Sequence, residues 1–395
     1  MARPLQHDLY VSGDLNDQAR QDFVSSLRAF VLNDVAGAMK ERYTQRIEPR
    51  LPQAEKPRSG PEVHRKLKDD IVFQFYSSMR YNAQEMVWRS VGHALNADME
   101  TLSEHMRQGA GQADAQGGSL SLDPDLAVPR NVSEVDVHLA PGSYHTDRGH
   151  DDCGAGALYD HGLNIFSFGM MGANLDDIGQ SMAHYIATQY PDFAPARILD
   201  TGCTIGHNTC AWKQTYPDAE VIGIDVAAPC LRYAHARAGH QGTPVHFKQM
   251  NATALDFADE SMDVVFSSMF LHELPVKDIR AALQEAYRVL KPGGLMLHME
   301  LPPNDALSPY DAFYLDWDAY YNNEPFYKAF RDQSYDQLCL DAGFANDKLI
   351  RFVTPQYTYM DPDDFAKAVK RPHAVGENTG RLAAGIEWFG FGAWK

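Results

Sequence analysis

The sequence predicts an α/β fold in which a mixed, mostly parallel sheet carries helices on both faces. From residue 196 onwards, short apolar runs typical of strands alternate with amphipathic runs typical of helices, and this alternation indicates a parallel sheet. A loop of small residues, the glycine loop at 200–206, follows the first strand, and Asp225 closes the second. These observations together indicate a Rossmann-like sheet whose strand ends border a ligand-binding crevice.

Two helical stretches precede this sheet. Apolar residues recur at steps of three and four from Asn16 to about Glu48, and again from Glu62 to about Arg107, which is the period of an amphipathic helix. Prolines and a glycine between 49 and 61 separate the two stretches. Their apolar stripes could pack on each other, on the later domain or across a homodimer, and periodicity does not choose among these.

The pattern weakens between these helices and the sheet. Residues 109–119 are small and polar without a hydrophobic period, so we expect a flexible linker or exposed loop there. Residues 121–173 mix short β-like pieces with proline and glycine, and we expect them to form a flap or cap. The predicted organisation is a helical N-terminal region at 1–120, the flap at 121–173 and a sheet domain at 174–395.

The elements of the sheet domain follow in a regular order. A helix with acids in its first turn is predicted over 175–186, where the acids suit the helix dipole. Strands are predicted at 196–200, 220–225, 245–248, 262–266 and 295–299, with a helix at 277–290. A helix at 334–343 and a strand at 348–353 come next, and the alternating residues 387–394 indicate the final strand.

Charge and cysteine content narrow the classes of partner. Of 395 residues, 35 are basic and 53 acidic, which gives a net charge of −18. Because such a field repels phosphate backbones and anionic lipids, we expect no nucleic-acid partner and no membrane. Five cysteines without a CxxC pair indicate a reducing compartment, and the first eight residues lack an apolar leader. We therefore expect a cytoplasmic protein.

The glycine loop and Asp225 predict a nucleotide-like ligand. Small residues let a ligand approach the backbone, and the following helix N-terminus offers N–H groups to an anion. Asp225 follows the loop by about 20 residues, and a carboxylate at this position can accept both hydroxyls of a ribose. The alternatives are a tight structural turn at the loop and a helix-capping role for Asp225, and a nicotinamide cofactor would use the same features.

Four segments in order make a resemblance specific. They are ILDTGCTIG at 198–206, VIGIDVAAPCLRYAHARA at 221–238, NATALDFADESMDVVFSSMFLHEL at 251–274 and EAYRVLKPGGLMLHMELP at 285–302. The chain resembles the class I S-adenosylmethionine-dependent methyltransferases, above all the branch that modifies small metabolites. The resemblance implies a seven-stranded mixed sheet in a catalytic domain at 174–395. It also implies S-adenosylmethionine as cofactor and methyl transfer to O, N, C or S of a small-molecule acceptor.

The resemblance also implies cofactor contacts at the ends of the first four strands of the sheet domain. These are Asp200, Gly202, Cys203, Thr204, Gly206, Asp225, Val226, Asn251, Ala252 and Ser267, with Ser268 beside the last. Asp225 would bind the ribose and Asn251 the adenine edge. Thr204 stands where the family usually has glycine, and we expect its hydroxyl to contact the cofactor carboxylate. A silent binding or scaffold subunit with a blocked loop is the alternative, as is an enzyme that uses the cofactor for other chemistry.

His272 is the candidate catalytic residue. It follows the fourth strand, where the resemblance implies the mouth of the active site, and an imidazole there could take the acceptor's proton near neutral pH. A structural role in the strand-to-helix turn is the alternative. Glu273 is a second candidate for this role, with the same structural alternative.

Aromatic residues crowd after the fifth strand, in a predicted lid insertion at 303–332. The substrate-facing members would be Tyr310, Tyr314, Trp317 and Tyr321, although such a stripe is also typical of a core. In the flap, His138, His145, His150 and His161 have spacings that match no compact ligand pattern. We therefore predict no metal site and expect this segment to cover the cofactor.

Overall fold

A computed structural model describes residues 7–376, 379–382 and 386–395. Within them one eight-stranded sheet has the order β1-β4-β3-β2-β5-β6-β8-β7. The strands are β1 Ser119–Ser121, β2 Arg197–Thr201, β3 Glu220–Asp225, β4 His246–Gln249, β5 Met262–Ser268, β6 Leu290–Glu300, β7 Leu349–Pro355 and β8 Glu387–Trp394. Neighbouring strands are parallel except that β8 runs antiparallel to β6 and β7. The α/β class and the mixed sheet are confirmed, and β1 adds one strand to the predicted seven.

Helices flank both faces of the sheet. They are α1 Leu15–Ala29, α2 Ala36–Arg42, α3 Gly60–Leu67, α4 Ile71–Ala97, α5 Met99–Ala115, α6 Arg130–Ser133, α7 Gly154–Phe166, α8 Asp177–Gln189, α9 His207–Thr215, α10 Ala228–His240, α11 Val276–Val289, α12 Pro309–Tyr321, α13 Tyr327–Arg331, α14 Tyr335–Ala342 and α15 Pro362–Ala368. No helix of the described residues combines the length and the apolar character that crossing a membrane requires.

The two faces of the sheet bury separate apolar clusters. On β2, Ile198 belongs to one cluster and its neighbour Leu199 to the other, and Val264 and Val265 divide in the same way on β5. Successive side chains of a strand point to opposite faces, so each strand contributes to both cores. This burial fixes the register and holds the carboxyl ends of β2 to β6 along one edge.

The first predicted helix is confirmed as one helical run. It consists of α1 and α2 with π-helical turns at Phe30–Val35 and Tyr43–Ile47. The second predicted helix divides into α3, α4 and α5, because the chain leaves the helical conformation before Ile71 and at Asp98. The start of the expected N-terminal region, residues 1–6, lies outside the described residues.

The expected linker at 109–119 is wrong. The segment stays helical to Ala115, and β1 then pairs in parallel with β4. Small residues here serve close helix packing, because a Cβ on Gly239 of α10 would lie 1.9 Å from the carbonyl oxygen of Gly109 on α5. The helical region and the sheet are therefore joined through a continuous core.

The flap segment contributes to the same core through α7. Ala157 and Ile165 of α7 are buried with Trp88 of α4 in one cluster, and a Cβ on Gly162 would lie 2.2 Å from the Trp88 ring. The buried face of α7 therefore departs from the expectation of a surface cap.

Two glycines of α5 test this packing. Gly109→Ala should lower the free energy of unfolding by about 1–3 kcal/mol, the usual cost of overpacking, because its Cβ would lie 2.4 Å from the carbonyl oxygen of Ala236. Gly111→Ala is the matched control: a Cβ there meets nothing within 4 Å, so the helix should gain roughly 0.5–1 kcal/mol. Urea unfolding measures both. Equal effects of the two substitutions would contradict the close approach of α5 and α10.

Candidate active site

A cavity of about 260 Å³ lies at the carboxyl ends of the central strands. Residues that follow β2, β3, β4 and β5 line it on the sheet side, and side chains of α1, α4, α7 and α12 line it on the helical side. The carboxyl edge of a parallel sheet is where α/β folds bind ligands. The N-terminal helices thus complete a cavity that the sheet begins.

Most residues expected to contact the cofactor line this cavity. They are Asp200, Gly202, Cys203, Thr204, Asp225, Val226, Asn251 and Ala252. Two others do not. Gly206 directly precedes α9 with a φ of +69°, and a Cβ there would lie 2.5 Å from the Phe247 ring. Ser267 is buried with its hydroxyl 2.7 Å from His298 Nδ1, and its neighbour Ser268 lines the cavity instead.

The carboxylate of Asp225 is bound to the glycine loop. Its Oδ2 accepts the N–H of Thr204 at 2.9 Å, and its Oδ1 accepts the N–H of Ala227 at the same distance. Burial raises the pKa of Asp225 to about 6, although these two N–H groups oppose the rise. A carboxylate has about four lone-pair sites, so both oxygens keep the capacity to accept hydroxyl groups from the cavity.

The glycine loop is shaped by close contacts. Gly202 has a φ of +72°, and a Cβ there would lie 2.2 Å from the Phe270 ring. Thr204 also has a positive φ, 48°, which is uncommon for a β-branched residue. Gly202, Cys203 and Thr204 all line the cavity, so the threonine does not fill it. The silent-subunit alternative loses its structural basis.

Asn251 presents one half of its amide to the cavity. Its Oδ1 accepts both the N–H and the hydroxyl of Thr253 at 2.9 Å. This local turn uses the acceptor and orients the side chain, as asparagine does after strands. The Nδ2 group is left as a donor on the cavity wall, suited to a ring nitrogen of a base.

His272 is held by a buried carboxylate. Its Nδ1 lies 2.6 Å from Glu300 Oε2 at the end of β6, and Glu300 Oε1 accepts the N–H groups of Phe270 and Leu271 at 3.0 and 2.7 Å. Burial lowers the pKa of His272, but Glu300, with smaller effects from Glu324 and Glu273, outweighs it and raises the pKa to about 9. His272 is 1 % exposed and lines the cavity.

A second histidine of the cavity, His138, is linked to His272 through Glu324. Glu324 Oε1 lies 3.2 Å from His138 Nδ1 and 3.9 Å from His272 Nε2. His138 has a φ of 60°, and its carbonyl oxygen accepts bonds from the side chains of Gln84 at 2.9 Å and Trp88 at 2.6 Å. Such a backbone conformation persists only when its surroundings enforce it, so contacts with α4 hold His138 in this position.

Of the four aromatic residues expected to face the substrate from the lid, one lines the cavity. Tyr314 lines the cavity, whereas Tyr310, Trp317 and Tyr321 are absent from its wall. These three pack on the N-terminal helices: Tyr310 on Tyr43, Tyr321 on Tyr81, and Trp317 on His64 and Phe73. The aromatic residues of α12 cover a wide part of its surface, because α12 packs between the sheet domain and the N-terminal helices. Most of them therefore belong to the core.

The flap histidines are separated in the structure. His145 pairs with Asp136, His150 is exposed, and His161 Nε2 accepts the N–H of Val11 at 2.8 Å. Among the described residues, no group of three or more His, Cys, Asp or Glu side chains is arranged to hold a metal ion. His138 alone of the four lines the cavity.

Known proteins resemble the sheet part of this chain. Residues 198–294 match the family model of the methyltransferase domain. A demethylmenaquinone methyltransferase of Thermus thermophilus is 38% identical over 128 residues, 32% of this chain and 56% of that protein. A malonyl-[acyl-carrier protein] O-methyltransferase of Xylella fastidiosa is 34% identical over 122 residues, 31% and 40%. The erythromycin 3″-O-methyltransferase of Saccharopolyspora erythraea is 30% identical over 140 residues, 35% and 45%.

Residues 198–294 are thus similar to a methyltransferase domain. The chain spans about half the length of the curated relatives it matches. The matched region includes the glycine loop, Asp225, Asn251 and His272, and it excludes the N-terminal helices and the lid. The family match therefore covers the sheet wall of the cavity and not its helical wall.

Several functional candidates beside the methyltransferase domain were missed from the sequence. Glu300 ends a strand within the segment 285–302 of the sequence analysis. An acid at the end of a strand of the sheet could therefore have been recognised as a site candidate. Glu324, Arg28 and Arg80 belong to helical or loop segments outside residues 198–294, although all three line the cavity. Arg28 and Arg80 are each 1 % exposed, and an arginine in a helical pattern carries no local sign of burial.

The pairing of His272 with Glu300 predicts a titration. The His272 imidazole should titrate near pH 9 by NMR, with its signal assigned by its loss in His272→Gln. In Glu300→Gln the pKa should fall from about 9, since burial remains and the largest of the charges that oppose it is gone. Gln keeps an oxygen for the N–H groups of Phe270 and Leu271.

The same pair links stability to pH. Because the folded-state pKa of His272 is raised, its contribution to stability is complete below pH 6.5 and is lost as the pH rises towards 9. Glu300→Gln should remove this loss. A wild-type titration at or below pH 6.5 would contradict the pairing.

Proposed function

We propose that this chain is an S-adenosylmethionine-dependent methyltransferase that methylates a small-molecule acceptor. The observation that carries the proposal is that the glycine loop, Asp225 and His272 border one cavity. The same cavity extends to a wall of aromatic and charged side chains from the N-terminal helices and the lid. Cofactor and acceptor would thus share one enclosed space, as in-line methyl transfer requires.

The residues of the sheet edge fit the cofactor. The N-terminus of α9 has no side-chain cap, and its free N–H groups suit the cofactor carboxylate. Asp225 would accept the ribose hydroxyls, and the Nδ2 group of Asn251 would donate to adenine. His207 supports the fit because it lines the cavity with a buried Nδ1 that has no partner among the described residues. Thr204 would add its hydroxyl near the carboxylate.

When bound, S-adenosylmethionine supplies a methyl group on a positive sulfur, which keeps the electron pair of the broken C–S bond as the acceptor's lone pair bonds the methyl carbon. His272 would receive the proton that the acceptor gives up. Glu300 fixes Nδ1 of this imidazole, so Nε2 is the atom that exchanges the proton. Since the pKa of His272 is about 9, the neutral base is a minor form at pH 7.

The relatives suggest the acceptor class. Their names give demethylmenaquinone, malonyl-[acyl-carrier protein] and erythromycin as methyl acceptors, which share no scaffold. The apolar wall here, with Leu163, Phe166, Leu315 and Tyr327, favours an acceptor with an apolar or aromatic body. Use of the cofactor for other chemistry is the less favoured alternative, because the three relatives described above are methyltransferases.

We also propose the division predicted from the sequence, at 1–120, 121–173 and 174–395 with the lid at 303–332, amended by the entry of β1 into the sheet. A cytoplasmic location agrees with five buried free cysteines. A homodimer through the N-terminal helices agrees with their exposed Leu15, Phe23 and Ile71, and light scattering tests it. The net charge of −18 still disfavours nucleic acid.

The test of the function combines binding with product analysis. Calorimetry should detect S-adenosylhomocysteine binding, and cofactor with a labelled methyl group should transfer the label to members of a panel of hydroquinones, hydroxylated carboxylic acids and sugars. Cofactor consumption with the label absent from every acceptor would reject methyl transfer. No heat with the homocysteine product would reject the cofactor itself.

Asp225→Ala should weaken S-adenosylhomocysteine binding by about 1.5–3 kcal/mol, because it removes hydrogen bonds to a charged group. Asp218→Ala is the matched control, since Asp218 is exposed and lies before β3, at the opposite end of the same strand. Calorimetric titration compares the three proteins. An unchanged dissociation constant for Asp225→Ala would remove this carboxylate from the cofactor site.

The pH dependence of turnover tests the role of His272. With an acceptor from the panel, kcat/KM should rise with pH and level off near pH 9, because the neutral imidazole takes the proton. His272→Gln should lower kcat by about 10²–10⁴-fold, the usual contribution of a general base, and abolish this rise. Retention of full turnover in His272→Gln would show that alignment alone accounts for the rate.

A further inference from the structure

We propose that Arg28 binds a carboxylate group of the methyl acceptor, so that the substrates of this enzyme are organic acids with an apolar or aromatic body. The proposal rests on the proposed function and names the substrate class of the same cavity. It is carried by the surroundings of one guanidinium group on α1.

Arg28 is a buried cation with unused donors. Its side chain is 1 % exposed and lines the cavity. Nη1 donates to Gln84 Oε1, and the guanidinium lies 4.2 Å from the centre of the Phe166 ring. Nε and Nη2 are buried without a hydrogen-bond partner among the described residues. Buried charged groups normally have all their donors bonded, so this edge of Arg28 is arranged for a ligand.

A neighbouring arginine shows what such an edge binds. Arg80 on α4 donates through Nε to Asp318 Oδ1 and through Nη2 to Asp318 Oδ2, a bidentate carboxylate pair. Its Nη1 shares the Gln84 oxygen with Arg28. Arg28 therefore presents the same two donor atoms that Arg80 uses, and no carboxylate of the described residues forms an ion pair with it.

The positive charges on the helical side of the cavity favour a bound anion. Arg28 and Arg80 lie close enough to repel each other, and the ion pair of Asp318 with Arg80 holds that carboxylate on Arg80. Burial, followed by the charge of Arg80, holds the pKa of Arg28 below its usual range, yet a guanidinium stays protonated in proteins. The remaining positive charge is costly in a cavity of low dielectric, and a bound anion offsets that cost.

The number of donors selects the kind of anion. One guanidinium edge offers two parallel N–H groups, which match the two oxygens of a planar carboxylate. Gln84 Nε2 donates one of its two N–H groups to the carbonyl oxygen of His138. A tetrahedral phosphate has more oxygens than one guanidinium edge can bond. Leu32, Leu163 and Phe166 also line the cavity and suit the apolar part of an organic acid.

Matched acid and amide probes test the proposal by calorimetry. The pairs are 4-hydroxybenzoate with 4-hydroxybenzamide and 6-hydroxy-2-naphthoate with its amide, added to protein with and without S-adenosylhomocysteine. Wild type should prefer the acids by about ten- to a hundredfold, the ratio expected from charged hydrogen bonds. In Arg28→Met the preference should vanish, and Arg28→Lys should keep part of it.

Arg89→Met is the matched control. Arg89 lies on α4 with its side chain 75 % exposed, 3.4 Å from Glu85, so its loss should leave the preference unchanged. Equal binding of acids and amides to wild type, or no heat from the acids at millimolar concentration, overturns the proposal. Inorganic phosphate that displaces the acids and binds more tightly would overturn the assignment to a carboxylate.

Thermal unfolding without ligand gives a second, independent measurement. If Arg28 serves a ligand, Arg28→Met should raise Tm, because a buried charge without a partner is replaced by an unbranched apolar side chain. A lowered Tm would mean that Arg28 is structural and would overturn the proposal. Failure of the proposed function is distinct from both results: it shows as absent S-adenosylhomocysteine binding while the acid preference of the unloaded protein persists.

Discussion

The carboxylate of Glu300 is the interaction on which the site depends. It ends β6, accepts two backbone N–H groups from the turn after β5, and pairs with His272. The turn it fixes also carries Phe270, whose ring lies against Gly202 in the glycine loop. One buried acid therefore joins the ends of two strands, orients the catalytic candidate and sets the wall of the cofactor end. Its burial is tolerated because every bond it needs is made.

The N-terminal helices and the lid act as one wall. Arg80 of α4 pairs with Asp318 of α12, Trp317 donates to Ser77 at 2.9 Å, and Lys40 pairs with Asp311 at 3.0 Å. Moving the lid alone would break the Arg80–Asp318 pair and leave the buried charge of Arg80 without its carboxylate, which is unfavourable. Any opening of the cavity therefore involves the N-terminal helices together with α12, which explains why the aromatic stripe of the lid is mostly core.

Sequence patterns predicted correctly those parts of the structure that depend on residues close together in the chain. The strands of the sheet, Asp225 and the antiparallel final strand follow from period, spacing and order along the chain. Residues 109–119 misled because glycine and alanine suit both a flexible loop and a close helix contact, and only α10 decides between them. Arg28 and Glu324 were missed for a related reason. They lie 244 and 52 residues from His272 along the chain, in separate elements between which no periodicity extends.

The charges around the cavity divide into two ends, and this division orders the chemistry. Asp225 and Glu273 at the sheet edge, with Glu324 beside His272, favour positive groups, whereas Arg28 leaves a positive charge on the helical wall. In a space of low dielectric these fields are strong and need no reorganisation when the ligands bind. A cationic methyl donor belongs at the first end and an anion at the second. An acceptor held by its carboxylate at Arg28 would extend its nucleophile towards His272 and the sulfur, so recognition and alignment follow from the same electrostatic arrangement.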